Sequence, residues 1–294
     1  MVDVLVVGAG RVGRTAGLVL ALSGYNVYYL DVLEKVSRAA AEDTMHAVAC
    51  AGVEARVGWV REAVDADIVI VTASVRHGLL QTRMKLLEQN LKIIVDVVEK
   101  VYSRAPRAWY VVVTNPVDVL ATVFAKLART ERVISTGTYI DSARFRVWLA
   151  RKFDKPLSRV QGLVGGIHGE DLVVFWSTAR VEGEKVKVSK QEEQELMDYL
   201  TRAPWEIVDA IGMTSGGAGT MAATIASMLA SPTTALVSIA PYHNGACVGI
   251  PALIGSWRVE PQENILEENE RREVEAKRRK VASIAEQALQ QIQR

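Results

Sequence analysis

Cysteine is scarce. In 294 residues only Cys50 and Cys247 carry thiols, far apart and outside any metal-ligand spacing, so no cysteine metal cluster is expected, and both read as reduced, buried thiols of a cytosolic protein. Excess charge of one sign is also missing. With 35 basic and 34 acidic residues the net charge is +1, which leaves no electrostatic footprint for nucleic acid or an anionic membrane. No apolar run reaches the about eighteen residues of a membrane span. The chain enters a strand containing Asp3 at once, without a basic leader segment. The expectation is a cytoplasmic protein that binds neither membrane nor nucleic acid. Its length allows a large core, as two modest domains or one large α/β unit.

The chain does have a glycine turn near its start. An apolar run over 2–7 enters Gly8-Ala9-Gly10-Arg11-Val12-Gly13, and an apolar segment over 18–22 leads to Asn26-Val27-Tyr28-Tyr29-Leu30-Asp31. This reads as strand, turn, helix and strand. Gly8 permits the tight turn, Gly10 lets a pyrophosphate approach the backbone, and Gly13 lets the helix lie against the strand. Free N–H groups and partial positive charge at the helix start face the phosphates. Asp31, about twenty residues after the glycines, can accept from ribose hydroxyls and repels a 2′-phosphate, which points to NAD over NADP. A glycine turn without ligand is the alternative.

Strand and helix signals then alternate, which implies a parallel sheet covered on both faces. Residues 36–51 form an alanine-rich helix stopped by Gly52, 56–58 a short strand, and 67–73 a buried one. Thr72, Ala73 and Ser74 sit at its carboxyl end, where such sheets bind ligands. The stretch 74–82, with Arg76, His77 and Gly78, has no period. It reads either as a mobile loop over the cofactor or as an ordinary solvated connection to a helix over 83–102. The strand at 109–113 ends in Thr114-Asn115-Pro116-Val117-Asp118, where Pro116 opens a helix and leaves the Asn115 amide exposed. A strand at 132–135 precedes a helix reaching Phe153. On it Asp141 and Arg144 project from one face, either as a helix salt bridge or as part of a site. His168 follows an apolar run and two glycines, and taken alone it reads as structural.

Beyond it, 172–188 reads as paired strands around Glu182-Gly183-Glu184, followed by helical segments over 189–211. Residues 214–220 enter another helix, and strands are expected at 235–240 and 247–254. The segment 267–293 reads as a charged amphipathic helix whose Arg271-Arg272 and 277–280 basic runs form a solvated face.

The order GAGRVG, Asp31, TAS, an arginine-bearing loop, Asn90, TNPVD, GTYIDSARFR and GGIHGED resembles the NAD-dependent lactate and malate dehydrogenase family, most closely its lactate-dehydrogenase-like malate branch, over nearly the whole chain. The resemblance implies an α/β fold: a Rossmann-type doubly wound parallel sheet over 1–136, then an α+β substrate domain over 137–294. It implies that His168 donates and accepts the proton, with Asp141 as its carboxylate partner. Arg144 grips the substrate carboxylate, Arg83 polarises the reacting carbonyl, and Asn115 binds substrate and cofactor. Gly8, Gly10, Arg11, Val12, Gly13, Asp31, Thr72, Ala73, Ser74, Asn90, Val113 and Asn115 would form the NAD site, with no metal. Gly217 and Ala218 fall where family members put small residues against the substrate. The connection 242–246 is shorter than is usual in the family, a difference expected to concern the surface. The family also implies a homodimer or homotetramer.

Chemistry accounts for those residue types. Reducing a 2-keto acid adds hydride to carbon and a proton to oxygen, so a donor titrating near neutrality is needed. A carboxylate favours and orients the charged imidazole, and a guanidinium fork matches a carboxylate as lysine cannot. Family members selective for malate carry arginine six residues before the loop arginine, and lactate-selective ones carry glutamine. Here that position is His77 and its neighbour is Arg76, so either reads the second carboxylate or neither does and selectivity is broad. A dinucleotide-binding sensor or scaffold without catalysis is the reading from another class.

Overall fold

The computed structural model describes residues 1–75, 83–169 and 171–292. Six strands, β1 (Asp3–Val7), β2 (Asn26–Leu30), β3 (Val57–Trp59), β4 (Ile68–Val71), β5 (Trp109–Val112) and β6 (Val133–Ser135), run parallel in the order β3-β2-β1-β4-β5-β6. The central strands are largely apolar because both faces are covered. Leu5, Val69 and Tyr110 pack into one core, while Val4, Val6, Ile68, Ile70 and Val111 pack into the other. Between the strands come α1 (Arg11–Leu22), α2 (Glu34–Ala51), α3 (Arg83–Val97) with a wider turn at Val98–Tyr102, and α4 (Val117–Ala128). The chain departs in opposite directions from β1 and β4, so the crevice at their carboxyl ends is the topological switch point, where open α/β sheets bind ligands.

The second half comprises α5 (Gly137–Phe153), the antiparallel strands β7 (Val160–Ile167), β8 (Asp171–Val181) and β9 (Glu184–Lys185), then α6 (Lys190–Ile211) and α7 (Ser215–Ala230). It closes with β10 (Ala235–His243), β11 (Ala246–Cys247), β12 (Ile250–Gly255), β13 (Arg258–Pro261) and α8 (Glu268–Ile292). A Rossmann core followed by an α/β half is thus the architecture expected from the sequence. Strand β10 pairs antiparallel with β6, Ala240 opposite Ser135, so the large sheet continues past the parallel strands.

Four local expectations change. The last expected strand is two strands, because Val248-Gly249 leaves the ladder and Gly249 instead exchanges both backbone hydrogen bonds with Gly166, at 2.9 and 3.0 Å. An added Cβ at Gly249 would collide with Thr138. Strand β13 was not expected: its four residues pair only with β12 and keep two side chains exposed, so they carry no apolar run. The 277–280 run is a solvated face only in part: Arg279 and Lys280 are exposed, but Arg278 is not. Arg278 is 5% exposed and paired with Glu263 at 2.6 Å and Glu275 at 2.5 Å, while Lys277 and Lys280 both engage Asp171. Finally Cys247 is buried but Cys50, near the end of α2, is exposed. The short connection near Tyr242 is a two-residue hairpin turn in which Asn244 and Gly245 both have positive φ.

Among the described residues no helix is long and apolar enough to cross a membrane, and no group of three acidic, histidine or cysteine side chains could hold a metal.

Candidate active site

The glycine turn is fixed from below. Gly8 has φ +97°, and an added Cβ there would strike the backbone of Ala73; one at Gly13 would strike the Gly8 carbonyl and Thr72. Thr72 donates from Oγ1 to the Gly8 carbonyl at 2.6 Å, which binds turn to strand. Gly10, by contrast, is exposed and has nothing within 4 Å of an added Cβ, and no side chain caps the start of α1. This pattern fits a dinucleotide: two glycines needed for packing, and one that keeps the approach to free helix N–H groups open. Arg11 is exposed and lies near Gly212 at the end of α6, and Val12 is half-buried. The Asp31 carboxylate accepts from the N–H groups of Ala9 and Leu33, each at 2.9 Å, so it holds both the glycine turn and the entry to α2.

At the next strand ends, Thr114 donates to the Ala73 carbonyl at 2.8 Å, and half-buried Val113 donates its N–H to Val71. Asn90 is fully buried. Its Nδ2 donates to the Asn115 carbonyl at 2.7 Å and to Ser74 Oγ at 3.1 Å, and its Oδ1 accepts from the Val75 N–H at 2.9 Å. Both ends of that amide are engaged within the chain, so Asn90 ties the 74–75 segment to the TNPVD turn. The Asn115 side chain itself is exposed at the sheet edge.

The second half brings His168, Asp141 and Arg144 into one unit. His168 Nδ1 lies 2.7 Å from Asp141 Oδ2, and Arg144 Nη1 donates to Asp141 Oδ1 at 2.7 Å. Asp141 is wholly buried, whereas the His168 side chain is 20% exposed. Proximity in sequence placed Asp141 and Arg144 on one helical face; the β7 strand end supplies the histidine from across the fold. The imidazole lies against Gly137, the first residue of α5, where any Cβ would collide with it.

Asp118, within the TNPVD motif, joins the site although sequence reasoning does not single it out. It is 2% exposed, accepts from Ser135 Oγ at 2.5 Å, and accepts the backbone N–H of His168 at 2.7 Å. The available signal was an acid inside the otherwise apolar start of α4. Burial pushes its carboxyl above the usual range against the pull of Ser135 and His168. For His168, burial disfavours the charged ring, but Asp141, by charge and hydrogen bond, and then Asp118 outweigh it, and the net pKa is raised above 6.5.

Arg76 and His77 lie outside the described residues. Arg83 begins α3, and its side chain is also outside them. Gly217 lies against Ile140, next to Asp141, and Ala218 packs into the core beneath α7.

Two family models match. "Lactate/malate dehydrogenase, NAD binding domain" covers residues 2–135, and "lactate/malate dehydrogenase, alpha/beta C-terminal domain" covers 138–292. A malate dehydrogenase of Sulfurisphaera tokodaii is 33% identical over 92% of this chain and 91% of its own. An L-lactate dehydrogenase of Thermus aquaticus is 35% identical over 73% of this chain and 74% of its own. The solved malate dehydrogenase of Aeropyrum pernix superposes with a TM-score of 0.90 at 26% identity, covering 97% of each chain.

Proposed function

The chain belongs to the lactate/malate dehydrogenase family, and from that we propose that it interconverts (S)-malate and oxaloacetate with NAD, the cofactor of its amino-terminal domain. The observation that carries the reading is the buried Asp141 carboxylate shared between His168 and Arg144. One acid thereby orients a proton donor and a carboxylate clamp at a fixed spacing, as reduction of a 2-keto acid requires.

A nicotinamide dinucleotide held at the carboxyl ends of β1 and β4 would supply the hydride. Asp141 holds Nδ1 of His168, so Nε2 is the atom that gives a proton to the carbonyl oxygen, and it takes one back in the reverse direction. Asp118 fixes the His168 backbone and adds negative charge behind the ring. Arg144 has Nη1 on Asp141 and uses the rest of its fork for the substrate carboxylate. Arg83 completes the site from the start of α3 by stabilising charge on the carbonyl oxygen, and Asn115 orients substrate beside the cofactor. Gly8, Gly10, Arg11, Val12, Gly13 and Asp31 hold the nucleotide, with Thr72, Ala73, Ser74 and Val113 as the wall. Asn90 acts on that wall by tying its strands together.

The preference for a dicarboxylate rests on Arg76 and His77, since a second carboxylate in a closed site needs a cation. A malate dehydrogenase similar over nine-tenths of the chain supports the reading; an L-lactate dehydrogenase at like identity supports the second reading, a lactate or broad 2-hydroxy acid dehydrogenase. The test is the ratio of kcat/KM for oxaloacetate and pyruvate across pH, in which the titration of His168 largely cancels. We expect oxaloacetate to be favoured, with the preference shrinking as pH rises and the pH dependence lost in His77→Gln. A flat ratio that collapses in Arg76→Gln assigns the role to Arg76, and a preference for pyruvate at every pH overturns the malate reading. The same reading includes a cytoplasmic homodimer or homotetramer serving the tricarboxylic acid cycle, and a monomer in light scattering would contradict its assembly.

A further inference from the structure

A charge cluster beside the nucleotide crevice has no part in the scheme above. Strands β2 and β3 run parallel with Tyr29 opposite Trp59, and the Val60 N–H donates to the Tyr29 carbonyl at 3.0 Å. The chain therefore leaves β3 with Arg61 near the level of Asp31. Glu34, the first residue of α2, accepts from Arg61 Nε at 3.0 Å and Nη2 at 3.4 Å, and Arg38 Nη1 lies 3.9 Å from it. Both guanidinium groups lie over the Trp59 indole, at 5.4 and 5.7 Å from the ring centre. Two residues separate Glu34 from Asp31, whose own carboxylate is held by Ala9 and Leu33.

We propose that Glu34 is a second determinant of cofactor choice, which keeps Arg38 and Arg61 on Trp59 and so withholds both from a 2′-phosphate. Asp31 disfavours that phosphate by repulsion, but guanidinium forks bind phosphate strongly, and two of them gather over Trp59, one from α2 and one just past β3. Their side chains are 63% and 74% exposed, so they can swing to a ligand unless something engages them. Glu34 does so for Arg61 with two contacts and offsets the charge of Arg38. The indole gives both cations a resting place through cation–π attraction. The proposal rests on nucleotide binding in this crevice and not on which keto acid is reduced.

Fluorescence titrations of NADH and NADPH, without keto acid, separate these points. The proteins are the wild type, Glu34→Gln, and the triple variant Glu34→Gln/Arg38→Gln/Arg61→Gln. In Glu34→Gln, NADPH should bind roughly tenfold more tightly, the scale of one charge-assisted contact. NADH should stay within about twofold, because no contact with its free hydroxyls changes. The gain should shrink with added salt and disappear in the triple variant. An unchanged NADPH-to-NADH ratio in Glu34→Gln overturns the proposal, as does a gain that survives loss of both arginines. Failure of the wild type to bind NADH would instead remove the nucleotide reading on which the proposal stands.

Discussion

His168 meets opposing influences: burial lowers its pKa, while Asp141 and Asp118 raise it, and the raised value prevails. Reduction needs the protonated ring, so kcat/KM for keto acid reduction should be level at low pH and fall as pH rises through a midpoint above 6.5. Oxidation of the hydroxy acid needs the neutral ring and should rise through the same midpoint. In Asp141→Asn the largest raising influence is gone and burial gains weight, so the midpoint should move to lower pH; an unmoved midpoint would show that Asp141 does not act on the ring. Asp118 has a different task. It faces two donors, Ser135 Oγ and the His168 N–H, and Asp118→Ala leaves the buried His168 N–H without its acceptor. We expect kcat to fall about tenfold, the scale of a buried unsatisfied group, with NADH affinity unchanged. A variant that loses stability but keeps kcat would make Asp118 structural only.

Between elements, the site depends on two helices that carry none of its reacting groups. Helix α7 lies against α1 through small residues, and an added Cβ at Gly219 would strike Thr15 and the Val12 carbonyl. Gly219→Val must therefore push α1 away from α7 and disturb the turn at Gly8 and Gly13. NADH affinity should drop by roughly tenfold or more, as for a misplaced phosphate cradle, with fluorescence titration as the check. Unchanged affinity would mean that α1 is positioned by β1 alone. Helix α8 is pinned through Glu270, which is 4% exposed and accepts from the Ser177 N–H, Ser177 Oγ and the Glu267 N–H. Glu270→Ala leaves these donors without their acceptor and should cost about 2–4 kcal/mol in urea unfolding, as a buried polar deletion does. A cost near zero would show that water replaces the carboxylate.

At the scale of the molecule, what the sequence discloses is what is local. Uninterrupted apolar runs mark β1, β4 and β5 because both faces of a parallel strand are covered, and the glycine turn marks α1 by its own spacing. Asp141 and Arg144 are legible as a pair because one helical turn separates them. Groups whose partners lie far along the chain were not legible. Arg278 reads as a solvated charge until Glu263 is placed beside it, and Asp118 lies fifty residues from the histidine N–H it holds. Strand β13 depends on β12 for its pairing and has no pattern of its own. The site is likewise a property of the whole, since the glycine turn follows β1 of the large sheet while His168 follows β7 of the separate three-stranded sheet. The most direct test is therefore His168→Asn, assayed for NADH oxidation with oxaloacetate alongside its NADH affinity. The account expects turnover to fall by about 100-fold to 10,000-fold, the worth of a positioned proton donor, while NADH binds as in the wild type. Retained turnover, or an affinity lost as severely as activity, would contradict it.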